Sequence, residues 1–102
     1  KSINEDPIRF EQAVAGELSK MPHTTFGYWQ ESDEIGMDYF IRTDDQEIFG
    51  INIEGKEVNR STAKSYDKFR ATFKGARIAT ISTENLPQFF KGQRAFLEAA
   101  AI

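Results

Sequence analysis

Cysteine is absent from the 102 residues, and histidine occurs once, as His23. The first absence excludes disulfide frameworks, thiolate nucleophiles and cysteine-ligated zinc; the second excludes a multi-histidine metal site and argues against a Ser-His-Asp triad. No apolar run approaches the ~20 residues of a membrane helix, and the segment 1–10 lacks the apolar centre of a secretory signal. Repeats, low-complexity tracts and Pro/Gly/Ser-rich linkers are missing too. The expectation is one cytoplasmic domain over 1–102 with no membrane partner. A chain of this size buries only ~60–70% of its unfolded surface, so any active site must sit on the core elements themselves.

Charge is present but unevenly spread. The 13 Lys and Arg against 16 Asp and Glu give a net −3. Residues 1–55 carry 4 basic and 12 acidic side chains, net −8, whereas residues 56–77 carry 7 basic and 2 acidic, net +5. Overall acidity argues against a purely electrostatic nucleic-acid binder. The basic segment can still meet phosphate while the acidic part holds a cation.

Hydrophobic spacing sets the order of elements. Asp6-Pro7 reads as a cap followed by proline in the first turn, and Phe10, Val14, Leu18 and Met21 recur on one helical face, predicting a helix over 7–20 that Pro22 ends. Thr and aromatic residues predict a strand over 24–31, followed by the turn Glu31-Ser32-Asp33-Glu34. Strands over 36–43 and 47–53 form an antiparallel hairpin around Asp44-Asp45-Gln46. A helix over 61–74 carries Ala63, Tyr66, Phe69 and Phe73 on one side and stops at Gly75. A fourth strand covers 77–82, a short turn 86–90, and a closing helix 93–101. Tyr28 and Trp29, among Phe26, Phe40 and Phe49, are expected in the core, Phe89 and Phe90 in packing within the chain, and His23 in a loop.

One constellation carries chemistry. Asp38 lies in the second strand, and Glu54 and Lys56 close the third in Asn52-Ile53-Glu54-Gly55-Lys56. Alternation puts Glu54 and Lys56 on the face of Asn52. A hairpin turning around residue 46 pairs Asp38 near Glu54, with both carboxylates on that same face. Two hard oxygen ligands suit Mg²⁺, with Mn²⁺ as a substitute, and a neighbouring lysine can orient a water or offset charge on a phosphate.

This pattern resembles the PD-(D/E)XK nuclease superfamily, which includes restriction-type and Holliday-junction-resolving endonucleases. The resemblance covers about residues 7–90. It implies an α/β restriction-endonuclease-like core, ordered helix, three strands, helix, strand, helix around a mixed central sheet. Asp38, Glu54 and Lys56 then fill the catalytic positions, with Asp38 and Glu54 as metal ligands. Many members add a glutamate from the first helix; Glu17 borders the Phe10/Val14/Met21 stripe on one side and Glu11 on the other, and Glu17 is the first choice. Arg60, Lys64 and Lys68 step by four residues and, with Lys56, would grip a DNA backbone. One site per chain implies a homodimer for cutting both strands.

Two other readings stay open. The net −8 of residues 1–55 suits a non-catalytic α+β interaction module of the inhibitor or immunity type, binding a basic partner. Met37, where the superfamily usually has proline, and Gly55, inside the acidic-x-Lys tripeptide, suit a catalytically inactive nucleic-acid-binding domain of the same fold.

Overall fold

A computed structural model describes residues 7–54 and 61–102. The apolar stripe of the first helix, α1 (Pro7–Ser19), is buried as the spacing requires: Phe10, Val14 and Leu18 are at most 4% exposed. After α1 the chain tightens, with Lys20 and Met21 donating to Glu17 and Leu18 carbonyls, and Pro22 blocks further helix. His23 makes the exit in the left-handed region, φ 58°. Its carbonyl accepts from the Asp44 N–H, which ties this corner to the next hairpin.

Strands β1 (Thr24–Gln30), β2 (Gly36–Thr43) and β3 (Ile48–Ile53) form an antiparallel meander. The chain then crosses through α2 (Thr62–Thr72) to β4 (Arg77–Ile81), which pairs parallel to β3, with Phe49 opposite Arg77 and Ile53 opposite Ile81. A parallel neighbour demands such a crossover, since a tight turn can join only antiparallel strands. The result is an α/β fold with a mixed four-stranded sheet in the order β1-β2-β3-β4. Two short helices follow, α3 (Leu86–Lys91) and α4 (Gln93–Ala100). The expected turn at 86–90 is therefore a helix, with Pro87 in its first turn, where a missing N–H costs nothing.

The sheet is covered on both faces. On one side Ile41, Phe49, Ile51, Ala79 and Ile81 pack against α1, Leu86 and Phe89 of α3, and Leu97 of α4. On the other side Met37, Phe69, Ala76 and Ile78 form a smaller cluster under α2, edged by Trp29, Phe40 and Phe73. Gly50 permits this second contact: a Cβ there would lie 2.8 Å from the Phe69 ring. Ser61 caps α2 by accepting from the Lys64 N–H, and Ser65, 1% exposed, accepts from the Gly36 N–H at 3.1 Å. That buried hydroxyl locks the start of β2 to α2. Among the described residues, no helix is long and apolar enough to cross a membrane. The expected cap at Asp6 lies outside the described residues.

Candidate functional site

Regular pairing of β1 with β2 runs from Thr24↔Thr43 to Gly27↔Phe40, then resumes one residue out of step at Trp29↔Met37. Two residues of β2, Asp38 and Tyr39, therefore stand opposite one residue of β1, Tyr28. This is a β-bulge, and it resets the alternation of side chains. Tyr39 packs with the α1 cluster, whereas Met37, two residues away, packs with the α2 cluster. Alternation restarting at Met37 brings Asp38 to the α1 side beside Tyr39.

The β2/β3 ladder stops at the same place. Its last regular pair is Tyr39↔Ile51, and the next would join Met37 to Ile53. Instead the Asp38 carboxylate takes the ladder position: Oδ2 accepts the Ile53 N–H at 2.7 Å. Asp38 is only 6% exposed, so its charge sits in a largely dry position held by a short charge-assisted bond.

A second carboxylate comes from α1. The Tyr39 hydroxyl donates to Glu11 Oε2 at 2.9 Å. Burial, the hydrogen bond to Glu11, and the charges of Glu11 and Asp38 together push the Tyr39 phenol up to about 12, so it remains a donor. Glu11, Asp38 and Tyr39 line a cleft of about 330 Å³ whose outer wall is Tyr28, Trp29 and Gln30 of β1. Of the two glutamates bordering the α1 stripe, it is Glu11, not the first choice Glu17, that lines the cleft with Asp38. Glu17, six residues further along α1, instead accepts from Gln93 Nε2 of α4 at 2.8 Å and lies 4.0 Å from Lys20.

Glu54 follows β3 directly and is exposed. Its N–H donates to the Ile81 carbonyl at 3.0 Å, prolonging the β3/β4 ladder by one bond. Alternation from Asn52, which pairs with Thr80 on the side where the Tyr66 hydroxyl of α2 meets Thr80, turns Glu54 toward α2. The expected register put Asp38 opposite Glu54 on one face. The observed pairing ends at Tyr39↔Ile51, a register that, if continued, would set Asp38 against Asn52 rather than Glu54, and the bulge separates the faces, although Asp38 binds the backbone one residue before Glu54. Gly55, Lys56 and Arg60 lie outside the described residues. Among the described residues, no group of three or more His, Asp or Glu side chains is arranged to hold a metal ion.

The basic stripe is partly engaged. Lys68 lies 3.3 Å from Glu31 and Lys64 lies 4.0 Å from Glu34, both carboxylates of the β1–β2 turn. All four side chains are well exposed, so these pairs contribute little and exchange readily with other ions. At the opposite end of the β2/β3 hairpin, Arg94 of α4 meets Glu47 at 2.6 Å, Asp45 at 3.4 Å and Glu98 at 3.2 Å. That cluster fastens α4 to the hairpin turn. Burial lowers the Arg94 pKa and the three carboxylates more than restore it, so the guanidinium stays charged.

Comparison with protein-family models, with curated proteins and with solved structures finds no match to this chain.

Proposed function

We propose that the chain is a metal-dependent, endonuclease-like hydrolase of DNA phosphodiester bonds on a restriction-endonuclease-like core. The observation that carries this reading is Asp38: a carboxylate buried where β2 leaves β3, fixed by the N–H of Ile53 immediately before Glu54-Gly55-Lys56. Element order supports it, with an antiparallel meander, a crossover helix and a strand parallel to β3. Glu11 and Asp38 present hard oxygen donors to one cleft, which suits a Mg²⁺ ion that keeps most of its waters and takes one or two carboxylates.

When bound, the ion supplies a more acidic water and a counter-charge for the phosphate. Asp38 would be the fixed ligand, since the Ile53 N–H holds its carboxylate in place at the edge of the cleft. Glu11, rather than Glu17, would add an oxygen from α1; Glu54, turned toward α2, would have to swing round the end of β3 to add another. Lys56, as the neutral amine, would take the proton of the attacking water as its oxygen bonds to phosphorus and the P–O bond to the leaving strand breaks; the ammonium so formed would offset the phosphate charge, and the leaving oxygen would take a proton from solvent. Lys64 and Lys68, released from Glu34 and Glu31, hold the backbone together with Arg60. Two copies related by a two-fold axis serve two strands.

One observation favours a second reading. Even with Glu34 and Glu31 paired to Lys64 and Lys68, the first half of the chain keeps an acidic excess, as a module that binds a basic partner without catalysis would need. Cleavage of supercoiled plasmid and of a branched synthetic DNA, in Mg²⁺ and in Mn²⁺, decides between them. The nuclease reading expects metal-dependent cutting that is lost in Glu54→Ala and Lys56→Ala. No cutting, or equal cutting by all three proteins, selects the interaction module.

A further inference from the structure

Tyr28 contradicts the expectation that it belongs to the core: it is 77% exposed, the most exposed large apolar side chain among the described residues. Its neighbours on β1 are fixed. Trp29 packs edge-on against Phe69 and Phe73, with ring centroids at 5.4 and 6.2 Å, and Phe26 stacks on Tyr39 at 5.3 Å. The strand that carries Tyr28 is therefore held from both faces, and its ring stands free on a rigid base. The bulge puts that ring directly across from Asp38 and Tyr39, at the wall of the cleft that Glu11 and Asp38 line.

Resting on the nuclease reading, the geometry points to Tyr28 as a stacking platform for an unpaired nucleobase, which makes single-stranded or frayed DNA the substrate class of this site. Three features lead there. A free aromatic face beside a cleft has no apolar partner among the described residues, and a base offers a flat face of matching size. A base inside a duplex has both faces covered by its neighbours, so only an unstacked one can lie on the ring. Finally, the strand beneath the ring is held by the Trp29 and Phe26 ring contacts, so a base lying on Tyr28 meets an ordered platform at the wall of the cleft. Tyr28 is a binding and specificity residue, with no role in the chemical step.

The test measures binding and cutting together. Fluorescence anisotropy with a labelled 15-nucleotide single strand and a 15-base-pair duplex, in Ca²⁺, compares wild type, Tyr28→Phe and Tyr28→Ala. Tyr28→Phe keeps the ring and is expected to bind the single strand as wild type does. Tyr28→Ala is expected to bind it about tenfold more weakly, within the usual range for one base on one ring, with duplex binding unchanged. Because Tyr28 is exposed, the variant folds, and an unchanged thermal melt confirms it. Equal single-strand binding by wild type and Tyr28→Ala overturns the platform. If Mg²⁺-dependent cutting still requires Glu54 and Lys56, the nuclease reading survives that result. A wild type that neither binds nor cuts either DNA overturns both.

Discussion

Replacing Asp38 separates the ladder role of this residue from its charge. Asp38 Oδ2 is the acceptor for the Ile53 N–H, at 2.7 Å, in a residue that is 6% exposed. Asp38→Ala removes the acceptor and leaves a buried N–H at the end of the β2/β3 ladder, which costs about 1–3 kcal/mol. Asp38→Asn keeps an oxygen in nearly the same place. Its bond is weaker without the charge, but the neutral amide is cheaper to bury and no longer faces the negative charge of Glu11, so a net loss below ~1 kcal/mol is expected. For a domain of this size ~2 kcal/mol lowers the melting temperature by about 8–16 °C. Thermal and urea denaturation of the three proteins in EDTA should therefore rank them wild type, Asn, then Ala, with the gap between Asn and Ala the larger. An Ala variant as stable as wild type would refute the ladder role. Titrating Mg²⁺ into the same melts adds the second half: wild type should rise in stability with metal concentration, as any ligand of the native state requires, and Asp38→Asn should rise less.

The remaining predictions concern the frame around the cleft. Tyr39→Phe should lose about 1 kcal/mol in urea denaturation at pH 7, from the hydroxyl that bonds Glu11. The Tyr39 phenol rises from 10.0 to about 12 on folding, so its contribution is complete below pH 10 and is lost as pH climbs from 10 through 12; the wild type should lose stability faster than Tyr39→Phe over that window. Gly50→Ala should cost about 1–3 kcal/mol, because its Cβ meets the fully buried Phe69 ring at 2.8 Å, and a compensating Phe69→Leu should recover part of the loss. Arg94→Ala should cost less than about 1 kcal/mol per pair broken with Glu47, Asp45 and Glu98, a difference that shrinks in 1 M NaCl, since Arg94 is 41% exposed.

Much of this frame is legible in the residues. The spacing of Phe10, Val14, Leu18 and Met21 marks α1 and its buried face, because one stripe must meet one sheet. Strand positions follow from alternation, and the parallel fourth strand follows from the helical stretch before it. What the residues hide is local. A bulge adds one residue to one strand and leaves the composition of that strand unchanged, so the reversal of Asp38 relative to Glu54 has no signature in Gly36-Met37-Asp38-Tyr39. That Glu11 and not Glu17 lines the cleft with Asp38 depends on where α1 sits along the sheet, and both lie at the border of the same stripe; the clue in the sequence is Tyr39, whose hydroxyl needs an acceptor. Ser65 looks like a solvent residue by type, yet it is buried because the β2 backbone at Gly36 requires an acceptor there. Tyr28 and Trp29 are neighbours of similar character, and only the handedness of the strand's two faces decides which is packed and which is free.

The bulge at Asp38-Tyr39 links these observations into one physical argument. A regular β2 would complete its ladder with the Met37 carbonyl at Ile53 and send Asp38 toward α2, where Phe69, Ala76 and Ile78 form an apolar cluster unsuited to a carboxylate. Inserting one residue moves Met37 into that cluster, where a thioether belongs, and moves Asp38 to the α1 side, where a hydrogen-bonded carboxylate can face a cleft. The same insertion leaves the Ile53 N–H without its backbone partner, and Asp38 supplies one. The carboxylate is thus held by the defect that exposes it. Tyr28, the single β1 residue opposite the two bulged ones, stands on the edge strand at the wall of the same cleft.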